Sequence, residues 1–168
     1  MKNFCFFVLF AIFSYGIEVS SIEANFVQSS KTQPIFYEGK FVASTPNLAK
    51  WEYIQPLKKT VYVTQNKLIS YEPMLSQVVI TKINSSLDFI AILKNAKQDS
   101  KDSNLYHSLI GNVHYTLTFS NHLPQKIEYI DQLGESVVIE LKDVKINTKV
   151  NKKIFEFEIP SGIDVIEQ

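Results

Sequence analysis

Histidines and carboxylates are the side chains of this sequence that could bind a metal or move protons. The histidines are few and widely separated, at His107, His114 and His122. None of their spacings matches a zinc site, and the alternation of His114 with Val113 and Tyr115 predicts a solvent-facing side chain on a strand. Carboxylates stand singly as the polar partners in similar runs, as Glu128 and Glu140 do. A glycosidase-type acid pair stays open, because nothing in the sequence marks or excludes one.

Other catalytic and nucleotide-binding motifs do not occur. The segment YEGKF holds a single glycine, whereas a phosphate-binding loop needs several, and no serine stands in a nucleophile-elbow pattern. All basic residues are lysine, so no arginine fork can bind phosphate or carboxylate. The sequence therefore predicts no enzyme activity, no cofactor and no metal, with a small barrel hydrolase kept only as an alternative.

The first sixteen residues have the pattern of a cleavable signal peptide. A lysine precedes the apolar run 4–13, and the small residues Ser14 and Gly16 precede the expected cut after Gly16. This run is too short to cross a bilayer. Residues 17–168 would then form one mature domain without cysteine, because Cys5 lies in the apolar run. Export without disulfides predicts a periplasmic location.

The charge of the mature chain is nearly balanced. Sixteen lysines stand against seventeen acidic residues, which gives a net charge of −1 and no basic field to attract nucleic acid. Residues 96–104 are the most polar stretch and predict a mobile loop. The full sequence has twelve Phe and eight Tyr, and even without those of the signal peptide this is a heavy aromatic content for so short a chain. It predicts a large apolar interior.

From Ile22 onward, apolar and polar residues alternate with a period of two. Turn signals such as Glu72-Pro73 and Leu133-Gly134 separate nine such runs, at residues 35–44, 50–55, 59–65, 67–71, 77–83, 112–119, 125–131, 135–146 and 153–159. With the segment that starts at Ile22, they predict about ten strands in an antiparallel meander. The connections are too short for parallel crossovers.

Residues 85–103 interrupt this alternation. The segment from Leu87 to Lys97 fits a helix of about three turns, and Ser85 and Asp88 have a capping-box-like spacing. Its apolar run FIAIL covers more than the usual stripe of about 100°. One interpretation is a lid over an apolar cavity that binds a hydrophobic ligand; the other is an ordinary buried helix that plugs the end of a barrel.

Four segments carry a family resemblance when taken in order. They are IEANFVQ (22–28), GKFVASTPNLAKWEYIQP (39–56), NKLISYEPMLSQVV (66–79) and FEFEIPSGIDVIE (155–167). The spacing of Pro46, Trp51 and Pro56 is the most specific part. Over nearly the whole mature sequence, the chain resembles the periplasmic outer-membrane lipoprotein carrier family (LolA).

This resemblance implies a fold and a function. The fold would be mainly β, a half-open and strongly twisted antiparallel β-barrel of about ten or eleven strands with a short helical lid. The protein would be a monomer that receives acylated lipoproteins from an inner-membrane ABC transporter and releases them at the outer membrane, with or without an acceptor protein there. A related half-barrel module for lipid or glycolipid binding, or for sensing lipoproteins, is the alternative.

The resemblance also implies two groups of site residues. The acyl-chain cavity would include Trp51, Tyr53, Phe41, Met74, Leu75, Phe89, Ile92 and Leu93. The lid and latch region would include Thr45, Pro46, Ser85 and Asp88. For Trp51, plain core packing is the competing interpretation, because large aromatic side chains dominate ordinary cores as well.

Three departures from the family pattern bear on these expectations. Thr45 stands where the family commonly has an arginine that fixes the lid, so the latch must be weaker or supplied by another residue such as Lys50. Ala49 stands where an aromatic residue is usual, which would alter a transporter contact. Only residues 17–21 separate the expected cleavage site from the first strand, so the family's first helix would be truncated or missing.

Overall fold

Twelve strands form one continuous sheet in the computed structural model, which describes residues 17–30, 32, 35–64, 66–83, 88–131 and 133–168. The strands are β1 (Ser21–Ser30), β2 (Phe36–Ser44), β3 (Leu48–Gln55), β4 (Lys59–Val63), β5 (Lys67–Glu72), β6 (Gln77–Lys82), β7 (Lys97–Gln98), β8 (Leu105–Ile110), β9 (Val113–Ser120), β10 (Leu123–Ile130), β11 (Ser136–Ile146) and β12 (Asp164–Glu167). One helix, α1 (Phe89–Lys94), lies between β6 and β7 in the described part of the chain.

The sheet is open, with β12 at one edge and β7 at the other. Its order is β12-β6-β5-β4-β3-β2-β1-β11-β10-β9-β8-β7. The predicted mainly β, half-open fold is therefore confirmed, with twelve strands rather than ten or eleven. One pair departs from the antiparallel expectation, because β12 runs parallel to β6. The chain reaches that edge after crossing back from β11 over the outside of the sheet.

One face of the sheet holds the hydrophobic core. Phe26, Phe41, Leu117 and Ile127 are fully buried members of one apolar cluster that also includes the apolar side of α1. Tight hairpins keep the alternate residues of successive strands on the same face. Between β9 and β10, for example, Asn121 and His122 both have positive φ, at 49° and 63°, as a type I′ turn requires.

The predicted strand at 153–159 is wrong. Residues Lys152–Phe155 form a 3₁₀ turn, and the chain then runs extended over the outer face of the sheet without pairing. The Phe157 ring packs on Tyr62 and Tyr71, with ring centroids 5.1 and 5.4 Å apart. The alternation arises because Phe155 and Phe157 face the sheet while the intervening Glu156 is exposed, not because the segment is a strand.

The helix is shorter than the sequence predicts. It begins at Phe89 and ends at Lys94, where the side-chain amide of Asn95 donates to the Ala91 carbonyl at 2.8 Å. Lys97 and Gln98 then pair with β8, so part of the predicted mobile loop is strand β7. Beyond β7, the Asp99 carboxylate accepts hydrogen bonds from two backbone amides and shapes the turn.

Candidate functional site

Aromatic side chains from three strands and α1 converge on the face of the sheet that holds the core. We call it the concave face, because Tyr53 of β3 and Tyr129 of β10 approach each other across it. Trp51 stacks on Phe41 with ring centroids 4.3 Å apart, and it meets the edge of Phe26 at 4.9 Å. Phe89 of α1 contacts Phe41 at 4.4 Å and Trp51 at 5.8 Å. The register explains this grouping, because Phe41 and Trp51 are direct partners on β2 and β3. The helix is thereby fixed over the centre of the sheet.

Beside this aromatic cluster lies a cavity of about 340 Å³. Its wall is largely apolar, and the lining side chains are Gln28, Trp51, Tyr53, Lys59, Val61, Val63, Leu68, Ser70, Phe89, Ile92, Tyr115, Ile127, Tyr129 and Ile139. The helix supplies Phe89 and Ile92, so α1 covers one side of the cavity. The structure therefore brings Trp51, Tyr53, Phe89 and Ile92, four of the predicted cavity residues, together at one site.

The remaining predicted cavity residues lie elsewhere. Phe41 and Leu93 are fully buried in the core and are not among the side chains that line the cavity. Met74 and Leu75 are 77% and 64% exposed, in a 3₁₀ turn between β5 and β6. That turn lies beyond the last paired residues, Glu72 and Gln77, so no second layer covers these two side chains. The structure does not bring Met74 or Leu75 to the cavity.

The predicted lid and latch residues are spread over two places. Asp88 caps α1, where its carboxylate accepts a hydrogen bond from the Ala91 amide at 3.0 Å. Thr45 and Pro46 lie in the β2–β3 turn, and the Thr45 amide donates to the Ser20 carbonyl at 3.0 Å. Residue 85 and the predicted signal peptide at 1–16 lie outside the described residues.

The structure places Lys50, suggested above as a replacement latch, away from α1. It lies next to Trp51 on β3, so its side chain points to the opposite, outer face. There its ammonium group contacts Glu52 at 2.7 Å and lies 5.6 Å from the centre of the Tyr62 ring. Because α1 covers the concave face, the sheet separates Lys50 from the helix.

Several lining residues were not predicted from the sequence, although strand parity could have indicated them. Val61 is paired with Trp51 across β3 and β4, and Ser70 is paired with Val61 across β4 and β5. Tyr115 and Tyr129 are direct partners on β9 and β10. Choosing them in advance requires the register of each hairpin as well as its alternation.

Burial of the Tyr53 phenol predicts a loss of stability at alkaline pH. Desolvation, with help from neighbouring Tyr37, raises the pKa of Tyr53 from 10.0 to about 12. Above pH 10 the unfolded chain loses this proton while the folded protein keeps it, so stability falls as the pH rises towards 12. Between about pH 9 and 11.5 this one group should remove about 2 kcal/mol from the free energy of unfolding.

Urea unfolding of wild type and Tyr53→Phe at these two pH values tests this expectation. Every other ionisable group is common to both proteins, so the contribution of those groups cancels in the comparison. The variant also loses the hydrogen bond from the Tyr53 hydroxyl to Gln28 Oε1 at 3.1 Å, which lowers its stability at both pH values alike. Tyr53→Phe should therefore lose less stability than the wild type between the two pH values, and an equal loss would contradict the assignment.

The described residues contain neither a cluster of metal-ligating side chains nor a helix that could span a membrane. No three His, Cys, Asp or Glu side chains converge in that part of the chain as a metal site would need. None of its helices reaches the length and hydropathy that crossing a bilayer requires. His114, as predicted, is exposed on β9.

Comparison with known families shows to which family the chain belongs. A family model described as outer membrane lipoprotein carrier protein LolA matches residues 18–158. This chain belongs to the LolA family. The chain is 34% identical over 160 residues to an outer-membrane lipoprotein carrier protein of Helicobacter hepaticus, covering 93% of this chain and 88% of that relative. It is 32% identical over 155 residues to one of Wolinella succinogenes, covering 89% and 88%.

A solved structure supports the fold of this LolA family member. The crystal structure of an uncharacterized conserved protein from Thermus thermophilus matches with a TM-score of 0.54 over 89% of this chain and 91% of that chain. Their sequences are only 11% identical, so the likeness concerns the fold alone. The family resemblance carried by the four sequence segments is confirmed.

Proposed function

We propose that this protein is a periplasmic carrier of acylated lipoproteins, and that its cavity holds their acyl chains during transit. The observation that carries the proposal is the apolar cavity between α1 and the concave face, in a chain of the LolA family. Burial of an acyl chain contributes about 0.8 kcal/mol per CH₂ group, so a cavity without reactive groups is sufficient for binding. The names of the relatives from Helicobacter hepaticus and Wolinella succinogenes support the same cargo.

The size of the cavity suggests how cargo enters. Its volume of about 340 Å³ is near the lower end of the range of about 300–1,000 Å³ for small-molecule pockets. A lipoprotein that brings more than one long chain therefore needs α1 to move away from Trp51 and Phe41. The helix has six residues, and its displacement leaves the strand ladders intact.

The wider cycle follows from this role. Residues 1–16 direct export and are removed, and the mature chain acts as a monomer. It takes lipoproteins from an inner-membrane lipoprotein-releasing ABC transporter and delivers them to the outer membrane. Conformational change and differential binding drive the cycle, and the protein performs no covalent chemistry.

Native mass spectrometry of protein purified from a Gram-negative periplasm tests the proposal. We expect species heavier than the mature chain by a lipoprotein or by long acyl chains. Trp51 is the single tryptophan of the sequence and lines the cavity, so palmitate should shift its emission to shorter wavelength as water leaves the site. A chain that is always empty, with unchanged emission at saturating palmitate, would contradict the carrier function.

A depletion strain separates the carrier from a lipid-binding or lipoprotein-sensing module. When the carrier is depleted, outer-membrane lipoproteins should accumulate in the inner membrane. A sensor or glycolipid-binding module would leave lipoprotein distribution unchanged while still binding acyl ligands in vitro.

A further inference from the structure

We propose that the cavity also binds the ester and amide carbonyl groups of acylated cargo, through hydroxyl and amide donors gathered at one end of the cavity. This inference rests on the proposed carrier function and adds to it the orientation of the bound acyl chain. The carbonyl end of each chain lies at the polar end, and its methyl end lies against α1. The donors are the hydroxyls of Tyr115 and Tyr129 and the side-chain amide of Gln28.

The topology gathers these polar groups at one end of the sheet. Strands β1, β3 and β10 run in the same direction, because a single antiparallel strand separates β3 from β1 and β1 from β10. Gln28, Tyr53 and Tyr129 lie near the end of their strands, and Tyr115 lies near the start of the antiparallel strand β9. All four therefore lie towards the same rim. We call them the polar collar.

The other end of the cavity is apolar. Val63 is the last residue of β4, and Leu68 is near the start of β5, so both lie towards the opposite rim. Phe89 and Ile92 of α1 add further apolar side chains to the cavity wall. The cavity thus has a polar and an apolar end, which a simple hydrocarbon ligand does not require.

The phenols of the collar are close enough to affect one another's ionisation. Desolvation raises the pKa of Tyr129, and the nearby Tyr115 and Tyr53 add to the effect. Burial also raises the pKa of Tyr115. The rings of Tyr115 and Tyr129 are 5.1 Å apart. These phenols stay protonated at neutral pH and can donate hydrogen bonds.

The hydroxyls of Tyr115 and Tyr129 have no hydrogen-bond partner among the described residues, yet both side chains line the cavity. The fully buried side-chain oxygens without a partner in that part of the chain belong to Ser70 and Ser108, so the two phenol oxygens are not sealed inside the wall. The Tyr53 hydroxyl donates to Gln28 Oε1 at 3.1 Å, which leaves the Gln28 Nε2 hydrogens available. The collar therefore offers several hydrogen-bond donors that have no acceptor in the described part of the chain.

An unpaired donor beside an apolar ligand is costly once water is excluded, whereas a carbonyl oxygen satisfies it. Ester and amide carbonyls at the head of each acyl chain are neutral acceptors, and neutral phenol and amide donors match them.

Two ligands of equal chain length test this inference. Palmitoyl monoglyceride has an ester carbonyl, and hexadecyl glycerol ether lacks it but keeps the same glycerol hydroxyls. Calorimetric titration of wild type should show about fivefold to tenfold tighter binding of the ester, because one or two neutral hydrogen bonds distinguish the ligands. In Tyr115→Phe/Tyr129→Phe, where the Gln28 amide is the one remaining donor of the three, the ester preference should fall to about twofold or less. The ether should bind at least as tightly as it does to wild type, because no unpaired phenol is left beside it. Tyr62→Phe, on the outer face, is the matched control and should keep the ester preference.

The outcomes separate the inference from the carrier function. Equal binding of both ligands to wild type, or an undiminished ester preference in the double variant, overturns the collar while acyl binding stands. Failure of wild type to bind either ligand refutes acyl binding and the collar together. The double variant keeps both rings, and urea unfolding verifies its fold. If it does not fold, Tyr115→Phe and Tyr129→Phe are tested singly, and each should lose part of the ester preference.

Discussion

Gly39→Ala is expected to unfold most of the protein under conditions in which the wild type is folded. A Cβ atom at position 39 would lie 2.0 Å from the Glu52 carbonyl oxygen and 2.8 Å from Cε1 of Phe26. The first is a backbone atom of the neighbouring strand, at the bulge where the β2–β3 register shifts. The second belongs to a ring held at 4.9 and 5.1 Å from the Trp51 and Tyr53 rings. Relief of the clash must therefore separate two central strands.

The expected loss is about 4 kcal/mol or more in the free energy of unfolding. Because domains of this kind have a total stability of about 5–15 kcal/mol, such a loss removes about a quarter to four fifths of that stability and unfolds the variant at urea concentrations at which the wild type is folded. Urea unfolding followed by circular dichroism measures it. Gly111→Ala is the matched control, since Gly111 has a φ of +58° but no atom within 4 Å of its would-be Cβ. It should lose only about 1–2 kcal/mol from backbone strain. Equal losses in both variants would show that the close approach at Gly39 is unimportant.

Alternation in the sequence is sufficient to predict most strands, because burial on one face of a sheet repeats every two residues. It does not distinguish a strand from an extended segment that packs across a sheet. Phe155 and Phe157 alternate with glutamates as strand residues do, yet they contact the outer face without pairing. The short edge strand β12 has four exposed residues and no such pattern, so only its pairing with β6 reveals it.

The aromatic part of the site could be predicted from sequence, and the polar part could not. Trp51 and Phe89 are large apolar residues in a recognisable family segment and in the helix, which is sufficient to predict both at the cavity. Tyr115 and Tyr129 become neighbours of Tyr53 only because the sheet curves until β9 and β10 approach β3. Met74 and Leu75 are the opposite case. Their apolar character predicts a place in the cavity, but they lie in a turn beyond the last paired residues of β5 and β6. Curvature and register are long-range properties, and local patterns do not contain them.

Leu68→Asp is expected to abolish binding of long acyl chains while leaving the sheet folded. Leu68 is half-buried and lines the apolar end of the cavity, where it is paired with Val63 on β4. In the empty protein, water can solvate the new carboxylate. A bound chain excludes this water, and the effective cost of an unpaired charge in an apolar site is several kcal/mol. Affinity for palmitate should fall about a hundredfold or more, which corresponds to about 2.7 kcal/mol.

Two variants make this expectation specific. Leu109→Asp introduces the same change on β8 at a side chain that is 54% exposed and outside the cavity lining, so it should bind palmitate as the wild type does. Leu68→Asn has nearly the shape of the aspartate variant without its charge, and burial of its amide should weaken binding by about tenfold. Calorimetric titration with palmitate measures all three, and urea unfolding verifies their folds. Equal affinities of Leu68→Asp and Leu109→Asp would place the acyl chain elsewhere. If Leu68→Asp does not fold, the contrast between Leu68→Asn and Leu109→Asp decides the question, because an acyl chain in this cavity must displace water from position 68 and leave position 109 untouched.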